Sequence, residues 1–298
     1  MICRPAPWIL ALLFGLVALF PVSGLAAEEG KSGADPIGEK PGGWNLQLSL
    51  GYLPSADLRA APGDVGMSDY RLKLARDIKL DQHLTLTLGG GYGFKHLDSP
   101  SAAPLPQDLH SLYLEAGATY RTTEKTFASI KLYPGLYSDF QAIGNDDLRL
   151  PVLALGGHSF GNGISVLGGL VYRFGYHAGQ LIPILGLSYQ PNEYWRIDLL
   201  APRPGISYQA SRRWQLFLAG DFASDEYELK DRTFGGKAIR YSDYKVMGGV
   251  QYLPLPSVKI STSLGYAFER RFVFYDGNRP DLRMDDTPFL KLSLDLGW

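Results

Sequence analysis

Nine residues, 290–298, constrain this chain more than any other stretch. They read Leu-Lys-Leu-Ser-Leu-Asp-Leu-Gly-Trp, so Leu290, Leu292, Leu294, Leu296 and Trp298 fall on one side of an extended backbone and Lys291, Ser293, Asp295 and Gly297 on the other. Successive side chains of a strand point to opposite faces. A period of two this regular means a strand lying between two unlike environments. Taken alone, the pattern suits an apolar core backed by water as well as lipid backed by a wet interior.

The same unit recurs from Trp44 onward. Trp44, Leu46, Leu48, Leu50 and Tyr52 alternate with Asn45, Gln47, Ser49 and Gly51, and Tyr70, Leu72 and Leu74 with Arg71, Lys73 and Ala75. Leu84, Leu86, Leu88, Tyr92 and Phe94 share a face, while Leu112, Leu114, Ala116, Ala118 and Tyr120 oppose Glu115, Gly117 and Thr119. Further strands are expected at 164–174, 181–189, 214–222, 244–252 and 258–268, with weaker ones at 125–134, 150–158, 194–201 and 204–210. Helical periodicity is absent beyond residue 27. Links alternate between short ones, such as 81–82, 122–124 and 190–193, and long polar ones at 55–67, 97–108, 135–149, 223–239 and 271–285. The tally is fourteen strands. Twelve is the alternative, because the links near 175–179 and 202–204 are short where long ones are due.

Residues 1–27 stand apart. Arg4 supplies a positive charge, 8–20 form an apolar run ended by Pro21, and Gly24-Leu25-Ala26-Ala27 offers small residues for cleavage, the layout of a signal peptide. The run falls short of the ~20 apolar residues that a spanning helix needs. Residues 28–43, rich in Gly, Pro and charge, read as a flexible leader. The single cysteine, Cys3, lies within the signal, so no disulfide or cysteine-ligated metal is expected in the 271 residues that follow it. With Arg4 set aside, 28 basic residues face 30 acidic ones, without the basic excess that marks a nucleic-acid partner.

The exported N-terminus, the repeated alternation and the final aromatic Trp298 together resemble the bacterial outer-membrane β-barrel proteins. The resemblance implies an all-β fold, a single antiparallel transmembrane β-barrel over 44–298, located in the Gram-negative cell outer membrane. It also implies that the C-terminal strand is read by the barrel-insertion machinery, and that lipid and lipopolysaccharide surround the wall. Short links would then be periplasmic turns and long ones extracellular loops. A soluble sandwich of two facing sheets is the structural rival. The stretch from Trp195 to Tyr208, with its Pro202-Arg203-Pro204 turn, resembles the middle hairpin of an uncharacterised, porin-like barrel family. That likeness carries no catalytic residue.

If the apolar face meets lipid, the opposite face lines an interior. Its candidate residues are Arg71, Lys73, Glu115, Lys131, Arg173, Arg196, Asp198, Asp221, Lys245, Lys259, Lys291 and Asp295, joined by Asp77, Lys79 and Glu269 on the same parity. Such a wall, slightly basic, suits a wet channel for small polar or anionic solutes; paired across strands, the same charges would plug the lumen. Leu167, Val171, Leu200 and Phe217 share that face and read as packing. Tyr52, Tyr92, Tyr120, Tyr172, Tyr189, Tyr252, Tyr266 and Trp298 sit near strand ends, where amphipathic rings suit the headgroup level. No enzyme is expected. The pairs His110-Ser111 and His158-Ser159 are neighbours on a strand and so point apart. The five histidines are scattered singly, without metal-ligand spacing, and no cofactor is implied. The acidic pairs Asp146-Asp147 and Asp285-Asp286 read as solvated loop residues.

Overall fold

The structure, a computed structural model, describes residues 43–59, 61–200 and 203–298. The expected signal peptide (1–27) and leader (28–43) lie outside the described residues, apart from Gly43. The chain forms β1 (Trp44–Asp57), β2 (Asp64–Lys79), β3 (Leu84–Asp98), β4 (Asp108–Thr123), β5 (Thr126–Leu132), β6 (Gly135–Ser138), β7 (Leu148–Ser159) and β8 (Ile164–Phe174). It continues through β9 (Leu181–Tyr189), β10 (Trp195–Leu200), β11 (Gly205–Gln209), β12 (Trp214–Glu228), β13 (Ala238–Leu255), β14 (Val258–Tyr275), β15 (Leu282–Arg283) and β16 (Thr287–Gly297).

Fourteen of these strands, all but β6 and β15, close into one antiparallel barrel. Each pairs with its neighbour in sequence, and β1 seals against β16 in register from Asn45↔Gly297 to Tyr52↔Leu290. Trp44 and Trp298 complete the seam, the Trp44 N–H donating to the Trp298 carbonyl at 2.7 Å and the Trp298 N–H to the Trp44 carbonyl at 3.0 Å. Closure satisfies every ladder without leaving an edge, which is what a sheet in lipid requires.

The apolar face of the alternation points outward. Leu114 is 67% exposed, Leu264 65% and Leu185 60%, and similar leucines ring the barrel. Exposing each such side chain to water would cost about 1.5–3 kcal/mol. A soluble sandwich would bury this face, so the barrel excludes that rival.

The short turns follow from local chemistry. Asp81 accepts hydrogen bonds from the backbone N–H of His83 (2.6 Å) and Leu84 (2.8 Å). Asn192 does the same for Tyr194 and Trp195, Asn162 for Ile164, Thr123 for Lys125 and Ser211 for Arg213. A side chain that mimics a backbone turn closes each of these hairpins at one rim.

Inward aromatics lie flat against the wall because a glycine faces each one across the ladder. The pairs are Gly91↔Tyr113, Gly157↔Phe127, Gly249↔Phe217 and Gly265↔Phe289. A Cβ at any of these glycines would strike the partner ring. At Gly91 the three nearest atoms all belong to the Tyr113 side chain, so Gly91→Ala is expected to push that ring off the wall and cost about 1–3 kcal/mol of overpacking. The urea midpoint of the refolded barrel reads this out. Gly168→Ala, whose Cβ meets nothing within 4 Å, should leave the midpoint unchanged.

Three expectations are corrected. β12, β13 and β14 run six or seven residues further toward the long-loop rim than the alternation suggests. The outer ends of β12 and β13 are buried on both faces, so the period of two fades there, whereas β14 keeps its alternation from Arg270 to Phe274. Glu269 does not line the interior. A bulge places both Glu269 and Arg270 opposite Asp243, Glu269 takes φ 51° and is exposed, and Arg270 turns inward at 1% exposure. The long link expected at 135–149 contains β6, which follows Pro134 and still pairs with β4 from Gly135↔Tyr113 to Ser138↔His110.

Candidate functional site

The inward face of β1–β4 and β16 is polar and, with residues of β6 and β12, lines a recess of about 710 Å³, counted out to its open mouth. Gln47, Ser49, Lys73, Ser293 and Asp295 line it, with Tyr113, Tyr137 and Tyr227 above them toward the long-loop rim. The charges of the inward wall as a whole come in bonded groups. Glu115, whose side chain is fully buried, meets Lys73 Nζ at 3.0 Å and Lys131 Nζ at 3.5 Å, and accepts from the Tyr133 hydroxyl at 3.3 Å. Lys259 meets Asp295 at 3.2 Å, Lys245 meets Asp243 at 2.8 Å, and Arg196 meets Asp198 at 3.0 Å.

One group spans the lumen. Arg71 on β2 bonds Asp69 at 3.0 Å and reaches Asp225 of β12 at 3.4 Å; Lys95 on β3 bonds Asp225 at 3.1 Å and also pairs with Asp69. β2 and β3 are not sheet neighbours of β12. The contact exists because the outer end of β12 leans across the barrel, where Glu228 pairs in parallel with Ser138 of β6 and its carbonyl accepts from the Asp139 N–H at 3.2 Å. The wall from β8 to β11 is short, 5 to 11 residues per strand, and β11 pairs with β12 only as far as Ala219, so among the described residues no strand of that wall flanks the outer end of β12.

Beyond this cross-brace the long-loop end is packed with apolar side chains. Leu97, Leu109, Tyr227, Ile239, Phe272, Leu282 and Met284 form one core there. On the far face of β12, Glu226 accepts from His177 Nδ1–H at 2.9 Å, and Arg149 lies 3.2 Å from Glu228 and 3.7 Å from Glu226. A loop contact completes the closure. Lys230 pairs with Asp146 at 2.7 Å and Asp147 at 2.9 Å, and its hydrogen bond holds the Asp146 carboxyl below the usual range.

The residues singled out from sequence fall as follows. Arg71, Lys73, Glu115, Lys131, Arg196, Asp198, Lys245, Lys259 and Asp295 enter the ion pairs just described. Arg173 stacks on Tyr176, its guanidinium carbon 3.8 Å from the ring centre. Asp221 stands opposite Lys245 in register, and Lys291 opposite Ser263 and Gly51. Val171 and Leu167 belong to an apolar patch with Leu153, Ile182 and Ile184, Phe217 lies on Gly249, and the side chain of Leu200 lies outside the described residues. His110 stacks between Phe94 and Phe140 on the outer wall, and His158 bonds Thr126 at 2.8 Å. Asp285 and Asp286 both engage Arg59.

Tyr52, Tyr92, Tyr120, Tyr189, Tyr266 and Trp298 are exposed, and Tyr172 and Tyr252 half-buried. They divide between two rims. Tyr120, Tyr189, Tyr252 and Trp298 lie near the short turns with Trp44, Trp195 and Trp214; Tyr52, Tyr92, Tyr172 and Tyr266 lie higher, near Tyr70, Phe222 and Tyr244. Trp44 to Tyr52, Trp214 to Phe222 and Tyr252 to Tyr244 are each eight residues apart, about 26 Å along a strand. That spacing matches an apolar band about 25 Å tall once strand tilt and ring length are included. The rings stack across strands, as in Trp214–Tyr252 at 4.5 Å and Trp195–Tyr208 at 4.7 Å.

Sequence reading missed Asp69, Lys95 and Asp225. The parity of Arg71 and Phe94 contains the signal for the first two, since Asp69 shares the face of Arg71 and Lys95 opposes Phe94. Their meeting with Asp225 across the lumen has no local signal.

No family model and no curated protein matches this sequence. Solved structures do resemble the fold. An outer-membrane channel from Pseudomonas putida F1 superposes with a TM-score of 0.50 at 13% identity, over 87% of this chain and 97% of that one. The translocator domain of the autotransporter NalP from Neisseria meningitidis gives 0.40 at 12% identity, over 98% of both chains. A mutant of the monoaromatic hydrocarbon channel TodX gives 0.42 at 11% identity, over 87% and 90%. The chain has the fold of the bacterial outer-membrane β-barrel proteins.

Proposed function

We propose that the protein is an outer-membrane channel for small polar solutes whose long-loop end is held shut by the outer segment of β12. The observation that carries this reading is the cross-lumen group of Asp69, Arg71, Lys95 and Asp225, which forms part of the wall of a polar recess beneath an apolar cap. A purely structural plug needs no polar recess beneath it, whereas a solute path does. In this reading the long loops face outside, the short turns face the periplasm, and the two aromatic belts sit at the headgroup levels. Arg71, Lys73, Lys95, Lys131, Arg196, Lys245 and Lys259 each have an acidic partner, which supports weak charge selectivity rather than a strong preference for anions.

The refolded barrel in a planar bilayer under a salt gradient tests this. Brief, small conductance steps with a reversal potential close to zero are expected. A second reading, a non-conducting barrel that docks a partner through its loops, is favoured by the apolar packing of the loop end. Correctly inserted protein that never conducts would establish that reading and discard the channel.

A further inference from the structure

Two arginines of the outer wall stand directly opposite one another. In the β14–β15 ladder, Arg271 pairs with Arg283 and Phe272 with Leu282. Phe272 and Leu282 are buried within the loop-end core at 1% and 8%, so the alternation sends both arginines to the outer face, where both are exposed. Directly opposed residues of an antiparallel pair have Cβ atoms about 5 Å apart, and like charges in that position oppose pairing. The nearby acids do not relieve this repulsion. Asp285 and Asp286 are engaged by Arg59, and Glu269 stands on the bulge below. Arg271 donates from Nε to the Ser242 hydroxyl at 3.1 Å, which fixes its guanidinium on the wall.

The height of the pair is informative. Arg271 stands opposite Ser242, two residues beyond Tyr244 of the upper aromatic belt, about 7 Å along the strand. On the membrane orientation proposed above, on which this inference rests, that level is just above the outer apolar boundary, where lipid phosphates lie. Two guanidiniums carried on directly opposed strand positions can converge on one phosphate and match its oxygens in geometry and charge.

We infer that Arg271 and Arg283, with Ser242 beside them, form a binding site for a phosphate group carried by an outer-leaflet glycolipid. The bound anion offsets the repulsion within the β14–β15 ladder and anchors the loop end to the membrane surface.

The test reconstitutes wild-type protein and the double variant Arg271→Gln/Arg283→Gln in vesicles containing lipopolysaccharide or its dephosphorylated form. Each barrel is then extracted in mild detergent and its co-purifying glycolipid measured. Heat-modifiable mobility reports folding and insertion. The expected result is severalfold less phosphorylated glycolipid on the double variant, equally low retention of the dephosphorylated form by both proteins, and partial recovery with Arg271→Lys/Arg283→Lys. Equal retention by inserted wild type and double variant overturns the site. Protection of wild type by inorganic phosphate, with no glycolipid retained, assigns the arginines to free phosphate and overturns the lipid part. Failure of the wild type to insert at all removes the membrane reading itself, and with it this site.

Discussion

Glu115→Ala is expected to lower the unfolding free energy of the barrel by about 3 kcal/mol, because removing one member of a buried ion group leaves its partners uncompensated. Glu115 is fully buried and serves two cations, Lys73 and Lys131, whose side chains are 12% and 18% exposed. The lower end of the usual 3–5 kcal/mol range applies because both ammoniums can turn toward the wet recess. Glu115→Gln keeps an acceptor for Tyr133 but leaves the cations unneutralised, so it should fall between wild type and alanine. Urea titration of the refolded barrel, followed by tryptophan fluorescence, measures all three. A midpoint for Glu115→Ala equal to that of wild type would show that lumen water already screens the pairs.

The second large effect is functional. In Lys95→Ala the carboxylates of Asp69 and Asp225 lose the ammonium between them and share only Arg71. Lys95 is 3% exposed at its side chain, so this ammonium bridges β3 to β12 with little competition from water. Its loss is expected to free the outer end of β12 and raise the time-averaged conductance about tenfold, the population shift that corresponds to ~1.4 kcal/mol. Open-channel conductance should change little, while open time should lengthen. An unchanged open probability would move the gate elsewhere, to the apolar cap beyond the brace.

The fold was largely legible because its determinant is local. The runs from Trp44 to Tyr52 and from Leu290 to Trp298 each carry one environment on one parity and another on the next, and pair in the structure as they read. The turn residues Asp81, Asn162 and Asn192 announce hairpins by the same short-range logic. Legibility failed where both faces are buried. Beyond Phe222, the stretch Ala223-Ser224-Asp225-Glu226-Tyr227-Glu228 looks like a polar loop, yet it is strand, packed on one side by the apolar core and on the other by Arg149 and His177. At Glu269 a single extra residue reversed the parity, and the charge expected inside turned out.

What the sequence by itself determined is the strand, its two faces and the rim at which each hairpin turns, because a period of two and a side chain bonding its own turn act over a few residues; the choice of fourteen crossings over twelve came from the closed sheet. What only the tertiary structure decided is which charges meet. Asp225 lies 154 residues from Arg71, and they touch because the sheet closes and the short wall from β8 to β11 lets β12 lean inward. Closure and the height of a distant wall are properties of the whole barrel. The state of the lumen depends on them, and no local pattern encodes them.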